Sequence, residues 1–177
     1  MNAGIISTRY ARAIYEFASE RGEETALYRE MKVLAQNFSG HPAMRRVMND
    51  PVLSPEEKIK TLSIAAGVDI SALLQQILRV VVRNGRANYM ENIALMYDQV
   101  YRKAKGIVVA HLTTVTPADE PIRQTLVELI SKVIENKTVE FHSETDPGLI
   151  GGFVLDIEDN RLDASVKGQL NQIKCQI

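Results

Sequence analysis

A cluster of carboxylates near the end of the chain is the first feature that could carry chemistry. Four acidic residues lie close together there: Asp156, Glu158, Asp159 and Asp163. Carboxylate oxygens are preferred calcium ligands, but the twelve-residue calcium loop needs glycine at its sixth position and glutamate at its twelfth. The sequence has Arg161 and Lys167 at these positions. We therefore interpret the cluster as a solvated turn and predict no metal site.

The histidines and the cysteine also offer no catalytic combination. His41, His111 and His142 fall in three separate predicted elements, and none has a partner three or four residues away. Zinc binding and general-base catalysis both need several such groups to converge. Cys175 is the single cysteine, which rules out an internal disulfide and fits a reducing compartment. The sequence thus predicts structural histidines and an inert thiol.

Patterns for binding nucleotides, nucleic acids or membranes are absent from the sequence. It contains neither of the glycine-rich phosphate-binding motifs, and its basic residues form no stripe. No apolar run approaches the ~20 residues of a membrane helix, and we expect no secretory signal. Lys and Arg outnumber Asp and Glu by 15 to 11 in residues 1–105, whereas acidic residues lead by 11 to 6 in residues 106–177. This asymmetry suggests two domains with different partners.

The first hundred residues predict six helices, because apolar residues recur at spacings of three and four. The predicted helices end near residues 21, 38, 48, 67, 83 and 105. The strongest start is Ser54-Pro55-Glu56-Glu57, where Ser54 and Glu57 can form a capping box. The first helix is predicted to begin at a cap formed by Ser7 and Thr8. Six short helices joined by tight turns indicate an antiparallel bundle.

At Gly106 the hydrophobic period changes from 3.6 to 2 residues. Strands are predicted over residues 107–115, 138–143 and 152–157, with a helix over residues 121–136. Asp163 or Ser165 is expected to cap a last helix. We therefore predict a mainly α protein, in which an N-terminal six-helix bundle (residues 1–105) is followed by a small α+β domain (residues 106–177).

Two features indicate surfaces rather than an active site. Gly151 and Gly152 lack a Cβ atom, so another backbone segment can approach them closely. The fifth helix is apolar over roughly 200° of arc, whereas a surface helix usually needs a stripe only somewhat wider than ~100°. It is either a fully buried central helix, or one side faces the core and the other lines a groove for a partner helix. Ala11 and Ala18 of the first helix would let such a partner approach.

Three stretches of the chain resemble the delta subunit family of F-type ATP synthase, whose mitochondrial members are called the oligomycin-sensitivity-conferring protein. They are Arg9-Tyr-Ala-Arg-Ala-Ile14, Asn84-Gly-Arg86, and Asp146-Pro-Gly-Leu-Ile-Gly-Gly-Phe153 together with Asp163-Ala-Ser-Val-Lys-Gly-Gln-Leu170. The order of six helices and then a small α+β unit fits the family over nearly the whole chain. Ala164 departs from the pattern, because the family more often has glycine there.

The resemblance implies a non-catalytic stator subunit that needs no cofactor and holds the catalytic head still while the rotor turns. Residues 1–105 would bind N-terminal segments of the alpha subunits, and residues 106–177 would bind the b subunits of the peripheral stalk. The protein would lie at the cytoplasmic face of the bacterial plasma membrane, attached only through the complex. The alternative is a stand-alone helical adaptor or a nucleic-acid-binding module.

Carried onto this sequence, the resemblance places the alpha-subunit site between the first and fifth helices. The expected lining residues are Tyr10, Ala11, Ile14, Ala18, Leu74, Leu78, Val81 and Val82. In the stalk-binding domain, the expected structural residues are Gly151, Gly152, Asp163 and Ser165.

Overall fold

The computed structural model describes residues 3–67, 69–116, 128, 138–157 and 160–174. The chain divides into two compact units, residues 1–101 and 102–177. The division falls within the last turn of the sixth helix, slightly before the change of hydrophobic period that placed the predicted boundary at residue 105. Among the described residues, no helix is both long enough and apolar enough to cross a membrane.

The first unit contains the six predicted helices. They are α1 (Ala3–Glu20), α2 (Glu24–Gly40), α3 (Ala43–Asn49), α4 (Pro55–Ala66), α5 (Ala72–Arg83) and α6 (Met90–Lys105). A short 3-10 turn (Ala87–Tyr89) replaces the predicted first turn of α6. Helix α4 packs against both α2 and α5, and α1 packs against α2. The prediction of a mainly helical N-terminal bundle is confirmed.

The N-termini of the helices show where local sequence signals determine the backbone conformation. The capping box at α4 is confirmed, since the Glu57 amide donates to Ser54 Oγ (3.3 Å) and the Ser54 amide donates to Glu57 Oε2 (2.9 Å). The Ser54 hydroxyl also donates to Glu57 Oε2 (2.8 Å), and this bond together with the one from the Ser54 amide holds the pKa of Glu57 below its usual value. The predicted cap at Ser7 and Thr8 is wrong, because α1 already includes both residues. The Thr8 hydroxyl donates to the Gly4 carbonyl one turn earlier (2.9 Å), which a residue inside a helix can do.

The core of the bundle consists of apolar side chains at helical spacing on α2, with aromatic residues from α6. The buried residues of α2 are Leu27, Met31, Leu34 and Phe38. Tyr97 of α6 is fully buried, and its hydroxyl donates to the Glu24 carbonyl (3.2 Å). Burial raises the pKa of Tyr97 because a phenolate would be desolvated there. Its hydroxyl therefore serves as a structural donor.

The second unit is built on a four-stranded sheet with the order β2-β1-β3-β4. The strands are β1 (Ile107–Thr114), β2 (Thr138–Thr145), β3 (Phe153–Ile157) and β4 (Asn160–Asp163), and α7 (Val166–Lys174) follows. Strands β1 and β2 are parallel, whereas the β1–β3 and β3–β4 pairs are antiparallel. The helix predicted over residues 121–136 lies outside the described residues, apart from residue 128.

Strand β4 corrects the sequence interpretation, which treated residues 158–163 as a solvated turn. Arg161 is the register partner of Asp156, and its Nε lies 3.0 Å from the Asp156 carboxylate. Two of the four clustered acids are therefore strand residues at the end of a hairpin. Glu158 and Asp159 lie outside the described residues. A four-residue strand that is exposed along its length gives little period-2 signal, which explains why it was missed.

The two faces of the sheet differ in chemistry. Ala110, Leu112 and Leu155 form a buried apolar cluster on one face. On the other, His111 and His142 are register partners on β1 and β2, and their rings stack with centroids 5.1 Å apart. The sequence treated these histidines as isolated because they are far apart along the chain. Only the register of β1 against β2 brings them together.

Candidate partner-binding surfaces

A shallow apolar groove of about 360 Å³ lies between α1 and α5. Its lining residues are Tyr10, Ala13, Ile14, Phe17, Gln76, Ile77, Val80 and Val81. They recur at spacings of one, three and four along each helix, so each helix contributes one continuous face. Phe17 is 38% exposed and Val80 is 54% exposed. The bundle thus leaves large apolar side chains open to water inside a concave surface.

The structure changes the list of groove residues. Three of the eight expected residues border the groove: Tyr10, Ile14 and Val81. The other five are buried and do not border it: Ala11, Ala18, Leu74, Leu78 and Val82. These five side chains pack inside the unit, and their part in binding an alpha subunit stays a prediction. Small residues such as alanine allow close helix packing, and here α1 uses that space against its own bundle.

Five lining residues were not named from the sequence as part of the groove: Ala13, Phe17, Gln76, Ile77 and Val80. Four of them are apolar. Ile77 and Val80 lie on the wide apolar arc of α5, and Ala13 and Phe17 share a face of α1 with Ile14, so the hydrophobic pattern gave a partial signal. The arc alone does not show which of its edges faces the core. Gln76 gives no apolar signal, and only its place one turn before Val80 puts it at the groove.

Hydrogen bonds and ring contacts fix the two ends of the groove. At one end, Asn84 Nδ2 donates to the Tyr10 hydroxyl (3.1 Å), and the Arg86 guanidinium carbon lies 5.2 Å from the centroid of the Tyr10 ring. At the other end, the Arg21 guanidinium carbon lies 4.2 Å from the centroid of the Phe17 ring. Both contacts have the geometry of cation–π interactions. The aromatic side chains are therefore held in place before any partner arrives.

The turn after α5 explains how Arg86 reaches Tyr10. Gly85 adopts a φ of 69°, and the Arg86 amide donates to the Val81 carbonyl (3.0 Å) while the Gly85 amide donates to the Val82 carbonyl (2.9 Å). This is the Schellman pattern, which favours glycine at the left-handed position. The Asn-Gly-Arg stretch thus ends α5 and directs its arginine towards the groove.

In the second unit, Gly152 lies directly against the backbone that leads into α7. A Cβ atom at Gly152 would lie 2.2 Å from the Ala164 carbonyl oxygen, and Gly152 has a φ of +76°. The Ala164 amide donates to the Phe153 carbonyl (2.9 Å), and the Val166 amide donates to the Gly151 carbonyl (3.0 Å). The two segments are therefore joined by backbone hydrogen bonds at a distance that only glycine permits.

Asp163 and Ser165 form the turn that starts α7. Ser165 Oγ accepts from the Gly168 amide (2.9 Å) and donates to Asp163 Oδ1 (2.6 Å), while the Ser165 amide donates to the same oxygen (2.9 Å). Of the two candidate caps, Ser165 occupies the cap position. The hydrogen bonds from Ser165 hold the pKa of Asp163 below its usual value. The hydroxyl is committed to this network, and no group of three or more metal-ligating side chains occurs among the described residues.

A family model described as ATP synthase delta (OSCP) subunit matches residues 6–177. The chain belongs to this family. It is 52% identical over 182 aligned positions to the ATP synthase subunit delta of Azobacteroides pseudotrichonymphae, and the alignment covers 100% of both chains. It is 37% identical to the ATP synthase subunit delta of Phocaeicola vulgatus, with 99% of this chain and 95% of the relative covered.

The fold is also similar to that of a chain in the Toxoplasma gondii mitochondrial ATP synthase hexamer. The TM-score is 0.71 and 96% of each chain is covered, but the sequences are only 19% identical, so the likeness concerns the fold alone. This chain is a non-catalytic stator subunit of F-type ATP synthase. Nothing in these relationships supports the alternative of a stand-alone adaptor or a nucleic-acid-binding module.

Proposed function

We propose that this stator subunit fastens the catalytic head to the peripheral stalk through two separate surfaces. The groove between α1 and α5 binds an amphipathic helix from the N-terminal segment of an alpha subunit. Residues 102–177 bind the b subunits of the stalk, with the complex held at the cytoplasmic face of the bacterial plasma membrane. The observation that carries the proposal is the exposure of Phe17 and Val80 in an apolar groove.

The groove can supply affinity without an ion or a cofactor. Burying one large apolar side chain contributes roughly 1.5–3 kcal/mol, and a partner helix would cover both exposed side chains while burying its own apolar face. Nanomolar attachment corresponds to about −12 kcal/mol. Neither attachment needs to reach this value alone, because two sites on one chain raise the effective concentration of each partner near the other.

The proposed stalk site is an apolar patch beside the Gly151–Gly152 turn, consisting of Ile150, Val166 and Leu170. These residues are 66%, 39% and 47% exposed. Val166 and Leu170 are four residues apart on α7 and therefore share a face of the helix. Ile150 directly precedes Gly151, whose position is in contact with the Val166 side chain. The tight turn would thus hold one apolar residue beside two others.

The groove is tested by titrating the full chain with a peptide that corresponds to the N-terminal segment of the alpha subunit. Val80→Asp places a carboxylate in the groove and should weaken binding at least 30-fold, as hot-spot substitutions do. Ile64→Asp is the matched control, because Ile64 of α4 is 71% exposed and does not line the groove. Circular dichroism should show both variants folded. Equal affinity of Val80→Asp and the unsubstituted chain would contradict the proposed site.

A further inference from the structure

The charges around the α1–α5 groove differ between its two ends. At the Tyr10 end, Arg86 lies over the tyrosine ring. Arg83 is exposed in the last turn of α5, seven residues after Gln76, and therefore lies on the groove side of that helix. Arg9 is also exposed and lines a depression that shares Ala13 with the groove. None of these three arginines forms an ion pair with a residue that the structure describes.

The Phe17 end has a different charge. Arg21 lies over the phenylalanine ring, but exposed acidic residues accompany it on α1. Glu16 lines the depression next to the groove together with Arg12, and Glu20 is exposed in the last turn of the helix, so two arginines and two glutamates balance at this end. The arginines at this end are therefore offset by nearby carboxylates, whereas the arginines at the Tyr10 end are not.

We propose that the groove accepts its partner helix in one direction, with a carboxyl-terminal turn that carries acidic side chains lying at the Tyr10 end. This inference rests on the proposed function and specifies the chemistry and direction of the occupant. Two effects act in the same sense. Acidic side chains are attracted to the arginines, and the carboxyl end of a helix carries a partial negative charge of its own.

The direction is set by the arginines and the affinity by the apolar lining. An exposed ion pair stabilises a complex only slightly, far less than the burial of Phe17 and Val80 does. Rim charges of this kind change the association rate and the dependence on salt more than the final affinity. The expected preference for one direction is therefore moderate at each arginine and is reduced by salt.

The test uses the full chain and a designed amphipathic peptide of the same length as the 18-residue α1. The peptide has a leucine stripe, two glutamates in its last turn and a spin label at its carboxyl end. We expect the label to broaden the amide signals of Asn84 and Gly85 and to leave that of Gln76 sharper. In addition, Arg83→Glu should weaken binding about fivefold at low salt. Arg29→Glu is the matched control, since Arg29 is exposed on α2 and does not line the groove.

The outcomes separate this inference from the proposed function. Equal broadening at both ends, or an equal loss of affinity in Arg83→Glu and Arg29→Glu, would overturn the inference on direction while leaving the groove as the binding site. If the unsubstituted chain bound neither this peptide nor the alpha-subunit peptide, the inference on direction and the proposed function would both be overturned. A second peptide with lysines in place of the glutamates should bind Arg83→Glu more tightly than the unsubstituted chain. The opposite order would also overturn the inference.

Discussion

The α1–α5 groove differs from the turn region, which consists of Gly151, Gly152, Asp163 and Ser165. The sequence has to specify exposed side chains in the groove and the backbone conformation in the turn region. The groove is formed by side chains such as Phe17 and Val80 on regular helices, whose backbones would be the same with other residues there. The turn region depends on the backbone itself. Gly152 adopts a left-handed conformation and touches a carbonyl, and Ser165 holds the first turn of α7.

This difference indicates where substitutions should act. A change in the groove alters a surface that is already partly exposed, so we expect it to affect binding and to leave folding intact. A change in the turn region removes a contact on which the second unit depends, so we expect it to affect stability first. Substitutions in each region test this division between binding and folding.

The largest effect is expected for Gly152→Ala. The new Cβ atom would collide with the Ala164 carbonyl, and the residue would occupy a strained backbone region, so the second unit should lose about 3 kcal/mol of stability or more. Gly151→Ala is the matched control, because its Cβ would meet the partly exposed Val166 side chain at 2.9 Å rather than backbone atoms. Amide exchange of the β1 and β3 strands measures both variants. Similar losses in the two variants would contradict the role assigned to Gly152.

Phe17→Ala in the first unit should weaken binding rather than stability, the reverse of what we expect for Gly152→Ala. Removing the exposed ring should weaken binding of the alpha-subunit peptide by about 2 kcal/mol, or roughly 30-fold. Thermal unfolding should change little, since the ring is 38% exposed and its loss leaves no closed cavity. A drop in melting temperature without a change in affinity would show that Phe17 belongs to the core rather than to a binding surface.

Two helix caps provide a closer comparison between the units. Ser54→Ala should destabilise the first unit by about 1 kcal/mol, the usual cost of losing a cap. Ser165→Ala should cost about 2 kcal/mol in the second unit, because Ser165 is buried whereas Ser54 is only half-buried, while each hydroxyl also donates to a carboxylate. Chemical denaturation followed by residue-specific amide signals gives both values. A larger loss of unfolding free energy in Ser54→Ala than in Ser165→Ala would contradict this ranking of the two caps.

A smaller effect concerns pH. Hydrogen bonds from Ser165 lower the pKa of Asp163 from its ordinary value of 3.8, so the folded state favours the carboxylate. The resulting stabilisation is present above pH 3.8 and is lost as the pH falls below that value through the pKa of the folded state. Asp163→Asn should flatten the acid-induced loss of stability in the second unit. An unchanged pH dependence would show that other carboxylates cause it.

Local sequence signals predicted the elements well where the necessary contacts are close in sequence. The capping box at Ser54 and the change of period at Gly106 both correspond to features of the structure. Strand β4 was missed because its identity depends on pairing with β3 rather than on its own pattern. The stacked His111 and His142 were missed for the same reason, since their proximity depends on strand register.

The groove shows the limit of predicting a surface from a single sequence. The wide apolar arc of α5 is compatible with a fully buried helix or with a second surface, and the structure has a groove on α5 next to α1. The sequence predicts that Ala11 and Ala18 leave space for a partner, whereas the structure buries both residues. A small residue permits close packing equally well inside or outside a bundle. Only the three-dimensional arrangement of all six helices decides which side of α1 stays exposed.

We infer that this subunit links two stationary parts of the enzyme and performs no reaction of its own. The most direct measurement is co-sedimentation of the purified catalytic head, lacking its delta subunit, with a soluble fragment of the peripheral stalk. We expect the stalk fragment to sediment with the head only when the full chain is added, and Val80→Asp to abolish this. Sedimentation of the stalk fragment with the head in the absence of the chain, or to the same extent with Val80→Asp, would show that this subunit is not the link.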